Sequence, residues 1–174
     1  LRRVLAAYSL QRLCALIMDK NNSDATDTTI VTIDPIDLSH KRMKAFHTYW
    51  IDTHHENGDL PGLHDFDLME IYELAPWVAI VDVVPGEAPA TQFRWRFIGT
   101  HLCDALFMTN LTGHYMHNLD PANWTEEIKS CYEDIVSTAV PHMWHRRELI
   151  HAGSDETISY TRLLLPVSGE GGGV

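Results

Sequence analysis

Basic residues are scarce in this sequence of 174 residues: 13 Lys and Arg stand against 24 Asp and Glu, for a formal charge of −11. A nucleic-acid binder normally carries a basic footprint, so this balance argues against that class. It argues equally against docking on an anionic membrane surface. Long hydrophobic runs are missing as well. No stretch reaches the ~18 consecutive apolar residues of a transmembrane helix, so no membrane span is expected. Cysteine is sparse and odd in number, at Cys14, Cys103 and Cys131, with no CxxC and no Cys/His zinc spacing. That usage fits reduced thiols in a cytoplasmic protein better than a disulfide framework. GxSxG, a Walker loop, HExxH and the kinase and cyclase signatures are all absent, so no motif announces an enzyme.

What is present describes one ordinary globular domain. Apolar residues make up 45% and charged residues 21%. At this length a chain buries roughly 70% of the surface that its unfolded form exposes, enough for a real core. The first 18 residues, LRRVLAAYSLQRLCALIM, hold Arg2, Arg3 and Arg12 and no acid. Residues 1–20 carry +3 and the remainder −14. The asymmetry invites a targeting role, yet no small-residue cleavage site follows a clean apolar run. Met18 is an alternative start. Residues 1–38 are accordingly expected to form a poorly ordered N-terminal extension.

Further along, NNSDATD (21–27) reads as a linker and TTIVTID (28–34) as a short strand interrupted by Pro35. Ser39 can cap a helix that runs to about Asn57 and stops at Gly58. Met43, Phe46 and Trp50 form its apolar stripe. A short helix is expected from Asp65 or Asp67 through Glu73. The almost wholly apolar WVAIVDVV (77–84) reads as a strand covered on both faces. Residues 91–98 alternate strictly, with Phe93, Trp95 and Phe97 on one face and Gln92, Arg94 and Arg96 on the other. The Pro/Gly turn between these runs predicts an antiparallel hairpin. Asp120–Pro121 opens a long helix with a core stripe of Trp124, Ile128, Cys131, Ile135 and Ala139. Residues 142–152 and 157–167 supply two more strands around a GSDE turn. This order implies an antiparallel sheet with helices packed on one face, an α+β domain.

The hairpin APWVAIVDVV and the stretch QFRWRFIGTHLCDALFMTNLTGHYMHNL resemble a PAS domain, and TRLLLPVSGEGG is a second match. Gly99–Thr100 and Leu111–Thr112–Gly113 are the most specific parts. More narrowly, the sequence is similar to the proteobacterial PAS-like group of short, often single-domain proteins. The resemblance implies a core over 65–174 and a cap helix and loop over 39–64, the helix being one through which such domains often dimerise. It makes Met43, Phe46 and Trp50 the candidate dimer or partner contacts. It also implies a last strand in the middle of the sheet, beside the first. No such strand follows residue 167 in the sequence, so the core is expected to be truncated before it, with continuation beyond Val174 preferred over substitution by TTIVTID.

The resemblance places Phe93, Trp95, Phe97, Cys131 and Ile135 between the sheet and the long helix, either lining a ligand pocket or as plain core. Arg94 and Arg96 can bind an anionic ligand or a partner's carboxylate, or lie on an exposed face. The long helix has no histidine to ligate haem, and the flavin-photochemistry motif NCRFLQ is absent, so neither His-ligated haem nor covalent flavin is expected. His54, His55 and His64 lie near Asp52, Glu56, Asp59 and Asp65, but adjacent helical histidines diverge by ~100°, which suits a solvated surface better than a metal site. The resemblance, with no catalytic motif beside it, implies a cytoplasmic, noncatalytic sensor that binds a small ligand, dimerises and contacts a signalling protein. The alternatives are an interaction module with a filled core and, remotely, a metal enzyme built on the cluster at 52–65.

Overall fold

Apolar content over 78–83, broken by Asp82 alone, and alternation over 91–98 demand a strand buried on both faces and a partner beside it. Both are present in the computed structural model. It describes residues 2–11, 30–53, 59–85, 91–105, 110–118, 125–149 and 157–168, with side chains over 32–53, 59–85, 91–104, 110–118, 125–146 and 160–168. The strands are β1 (Arg2–Gln11), β2 (Ile30–Thr32), β3 (Val78–Pro85), β4 (Thr91–Ile98), β5 (His142–Leu149) and β6 (Thr157–Ser168). The helices are α1 (Lys41–Asp52), α2 (Thr100–Ala105) and α3 (Glu126–Thr138). All six strands join one sheet in the order β2-β5-β6-β1-β3-β4, and every pairing is antiparallel.

The N-terminal segment departs most from expectation. Instead of a disordered extension, Arg2–Gln11 forms the central strand of the sheet. It pairs with β6 from Arg2↔Ser168 to Gln11↔Ser159 and with β3 from Arg3↔Asp82 to Ala7↔Val78. An empty slot there would leave two buried strands with unpaired backbone groups, which is costly. β1 fills the place that the resemblance assigned to the last strand, so the described sheet has no gap. TTIVTID is not the substitute. Its Ile30–Thr32 pairs with β5 at the sheet edge.

The domain is α+β as expected, with α2 and α3 on one face of the sheet and the N-terminal cap helix α1 packed on the other. Alternate residues of β3 divide between two cores. Ala79, Val81 and Val83 join Leu102 of α2 and Ile128, Tyr132 and Ile135 of α3 on what we term the inner face. Val78 and Ile80 join Met43, Phe46 and Trp50 of α1 on the outer face, with Met143, Leu163, Leu165 and Val167. The α1 stripe is therefore buried inside its own chain, and the Trp50 indole N–H donates to the Pro166 carbonyl at 2.8 Å. Ser39 does not cap α1. His40 occupies that position without a side-chain cap, while Ser39 bonds to Asp37. Thr125 caps α3 by accepting from the Ile128 N–H, and Glu126 and Glu127 suit the helix dipole in the first turn. Residues 119–124, where Asp120–Pro121 was expected to start this helix, lie outside the described residues.

The β3–β4 pairing contains a bulge. Ile80 opposes Phe97 and Val81 opposes Trp95, so Arg96 is an extra residue on β4. The slip reverses the alternation beyond it. Phe93 and Trp95 face inward, while Phe97 packs against the outer core. Among the described residues, no helix is long and apolar enough to cross a membrane.

Candidate ligand site on the inner face

Adjacent strands β5 and β6 each place an aromatic residue and an arginine two positions apart on the inner face, as Trp144/Arg146 and Tyr160/Arg162. The register sets Trp144 opposite Arg162 and Arg146 opposite Tyr160, so the arginines are diagonal neighbours. Both are buried, at 2% exposure for Arg146 and 7% for Arg162. The Arg162 guanidinium carbon lies 4.8 Å from the Trp144 ring centre, 5.5 Å from Tyr160 and 5.8 Å from Tyr132. These are cation–π distances. Arg162 also donates to the Tyr132 hydroxyl at 3.2 Å, and Arg146 to the Tyr160 hydroxyl at 3.5 Å. Tyr132 comes from the buried stripe of α3 and meets Phe93 at 5.3 Å and Trp144 at 6.1 Å between ring centres.

Two indoles in this region bring further donors. The Nε1 atoms of Trp95 and Trp144 are buried and have no hydrogen-bond partner among the described residues. An indole N–H can only donate, and leaving one buried and unmet costs about 1–3 kcal/mol. The His142 ring stands 5.6 Å from Trp144. Burial holds its pKa below the ordinary value, against an opposing pull from Asp134. Burial also raises the Cys131 thiol, with Arg162 the leading opposing influence. Cys131 is thus a protonated, half-buried border residue of this cluster.

Of the five expected pocket residues, Phe93, Trp95 and Ile135 come together on the inner face and Cys131 packs at its margin. Phe97 does not, because the bulge turns it outward. Sequence reasoning missed Tyr132, Trp144, Arg146, Tyr160 and Arg162. The Trp-x-Arg and Tyr-x-Arg spacings on neighbouring strands were the signal that could have found them. Arg94 and Arg96 do bind a carboxylate, but an internal one. They hold the Asp82 oxygens at 3.0 and 2.8 Å, with the Asp82 side chain 4% exposed. Met43, Phe46 and Trp50 are buried against the outer face and offer no surface to a partner.

The motif residues shape the frame of the site. Gly99 is enclosed: an added Cβ would fall 2.3 Å from the Pro76 carbonyl oxygen and 2.4 Å from that of Ala75. Thr100 starts α2 and is exposed, and Leu111 is buried in the inner core. The Thr112 N–H donates to Asn110, and Gly113 takes a left-handed φ of 87° and donates its N–H to the Trp95 carbonyl at 2.7 Å. His114 returns a carbonyl to the Trp95 N–H at 3.0 Å, so this turn pins the backbone of a site residue.

A family model described as a PAS domain matches residues 38–173. This chain belongs to the PAS domain family. No curated protein and no solved structure matches it. PAS domains are sensor modules of signalling proteins, and they are typically regulatory rather than catalytic. The matched span begins after β1, so a strand from outside it completes the PAS sheet. Among the described residues of this PAS domain, no three His, Cys, Asp or Glu side chains are grouped to hold a metal. His54, His55 and Glu56 of the expected cluster lie outside the described residues, and His64 pairs with neighbouring Asp65 at 3.2 Å.

Proposed function

We propose that this PAS domain senses a small molecule at the inner face and passes the event through the sheet to α1, and from there to a partner protein. One observation carries the proposal. The inner-face residues Trp144 and Arg162 are immediate chain neighbours of Met143 and Leu163, which pack on the outer face with Met43, Phe46 and Trp50 of α1. Successive strand residues point to opposite faces, so a backbone shift that recentres Arg162 also displaces Leu163. A tightly packed interior transmits such a shift instead of absorbing it. The ligand must bind the two arrangements with different affinity, or it shifts nothing. The exposed side of α1, with Ile51 half exposed at 50%, is then the surface that a partner or second copy would meet. No catalytic step is assigned to the domain.

Native and denaturing mass spectra, joined to a melting screen against a small-molecule panel, test this function. A mass lost on denaturation, or a compound that raises the melting temperature, supports sensing. No lost mass and no stabilising compound would favour a pure interaction module, a reading that draws on the near-complete burial of every inner-core residue.

A further inference from the structure

Resting on the partner-contact half of the sensor reading, we infer that the contact surface extends from α1 onto the turns at 67–75, and that the partner is a protein presenting an apolar side chain ringed by Lys or Arg. Two side chains mark the place. Among the described residues Met69 and Tyr72 are the most exposed large hydrophobics, at 76% and 65%. They stand three positions apart in firmly anchored turns. Ile71 between them belongs to the outer core, against which Phe66, Leu68 and Leu74 pack. The Met69 N–H donates to the Asp67 carboxylate at 2.8 Å, and the Leu74 and Ala75 N–H groups donate to the Ile71 carbonyl at 2.8 and 2.9 Å. The exposed pair is therefore presented on a held backbone, which lowers the ordering cost of binding. Met and Tyr are also among the residues enriched at protein interfaces.

Charge names the partner. From Ala45 to Phe93 the sequence has no Lys or Arg and nine acids. Asp67, Glu70 and Glu73 flank the exposed pair and are exposed themselves. Among the described residues their carboxylates meet hydroxyls and a backbone N–H but no cation. A two-fold contact between two copies would set this acidic rim against itself, and like charges across an interface are costly. Nucleic acids and anionic lipid surfaces are repelled for the same reason. A basic rim around an apolar centre is the complement. The surface is also tied to α1. The Tyr49 hydroxyl accepts from the Asp67 N–H at 3.0 Å and donates to the Glu70 carboxylate at 3.0 Å, so a displacement of α1 carries the turn with it.

Calorimetric titration of the full chain with three synthetic peptides of one length tests the inference: an amphipathic Leu/Lys helix, the same helix with Glu in place of Lys, and oligolysine. The parent is compared with the Met69→Ser/Tyr72→Ser double variant and with Val140→Ser, which removes an exposed hydrophobic just past α3. All three substituted side chains are exposed, so each variant should melt within a few degrees of the parent. The expected result is binding of the Leu/Lys peptide to the parent, weakened about tenfold or more in the double variant, unchanged in Val140→Ser, and falling as salt rises. Three results would overturn it: equal affinity in the double variant and the parent, the Leu/Glu peptide or oligolysine binding as tightly as the Leu/Lys peptide, or no binding of the Leu/Lys peptide at all. If the surface fails in one of these ways while a compound still raises the melting temperature, ligand sensing stands without it. If the Leu/Lys peptide binds as expected while no compound stabilises the domain, this inference stands and ligand sensing fails.

Discussion

Gly99→Ala adds one carbon and two hydrogens, yet it should be among the most damaging small changes in this domain. Its Cβ would sit 2.3 Å from the Pro76 carbonyl oxygen, 2.4 Å from the Ala75 carbonyl oxygen and 2.4 Å from the Pro76 carbonyl carbon. All three neighbours are backbone, so no side chain can swing away. Ordinary contact would require the 75–77 turn and the end of β4 to separate by about 1 Å, since non-bonded carbon contacts relax only near ~3.5 Å. That separation pulls on the bond from the Gly99 N–H to the Val78 carbonyl at 2.9 Å, and on those from Leu102 and Cys103 to the Gly99 carbonyl. Overpacking costs about 1–3 kcal/mol. One weakened hydrogen bond adds about 0.5–1.5 kcal/mol, for a total of about 2–4 kcal/mol. In a domain of this size each kcal/mol lowers the melting temperature by about 2–4 °C, so a fall of about 5–15 °C is expected. Gly113→Ala is the control. Gly113 has φ 87° but nothing within 4 Å of an added Cβ, so only backbone strain of about 1–2 kcal/mol applies. Calorimetric melting of both variants reads the difference. A Gly99→Ala protein as stable as the parent, or no less stable than Gly113→Ala, would refute the steric argument and with it the described packing of β4 on the 75–77 turn.

Three further perturbations probe other parts of the fold. Ala6→Pro breaks the β1 ladder between β3 and β6, where proline is not tolerated, and should lower the melting temperature by about 5 °C or more; an unchanged melting curve would return residues 2–11 to a loose extension. Trp50→Phe removes the buried donor to the Pro166 carbonyl and should cost about 1–3 kcal/mol, read as a lower urea midpoint, with an unchanged midpoint contradicting the docking of α1 on β6. Burial holds His40, His47 and His142 below the ordinary histidine value of 6.5, so the fold favours their neutral forms. Their contribution is full above about pH 6.5 and is lost as the pH falls through the lowered values, while the unfolded chain takes up protons. Urea midpoints should therefore drop between about pH 7.5 and about pH 5.5, and the drop should shrink in His142→Gln; an equal drop in both proteins would remove His142 from the account.

Local pattern revealed those elements whose partners are near in sequence. The β3–β4 hairpin was legible because an apolar run, a Pro/Gly turn and an alternating run stand side by side. The bulge was not, because Arg96 continues the alternation in composition while breaking it in space. The stripe on α1 was legible as apolar, but amphipathicity says that a face needs cover and not what covers it. Here its own sheet covers it, so Met43, Phe46 and Trp50 are core and not a dimer contact. β1 was invisible for a related reason. RRVLAAYSLQ has no strong strand periodicity, and its place is decided by a slot between two strands that lie more than 65 residues away. The inner-face arginines were missed because arginine is ordinarily exposed. Only the β5–β6 register, which sets Trp144 against Arg162, turns two surface-like residues into the centre of a buried cluster.

In the proposed function an event at the inner face reaches α1 through the sheet. Methyl NMR of selectively labelled methionine tests it directly, because Met116 reports from the inner core and Met43 from α1 on the outer face. The spectra would be recorded with and without a compound that raises the melting temperature. Both methyl signals should move on binding, with Met43 moving along the same line in proportion to saturation. A response confined to Met116, with Met43 unmoved at saturation, would contradict it.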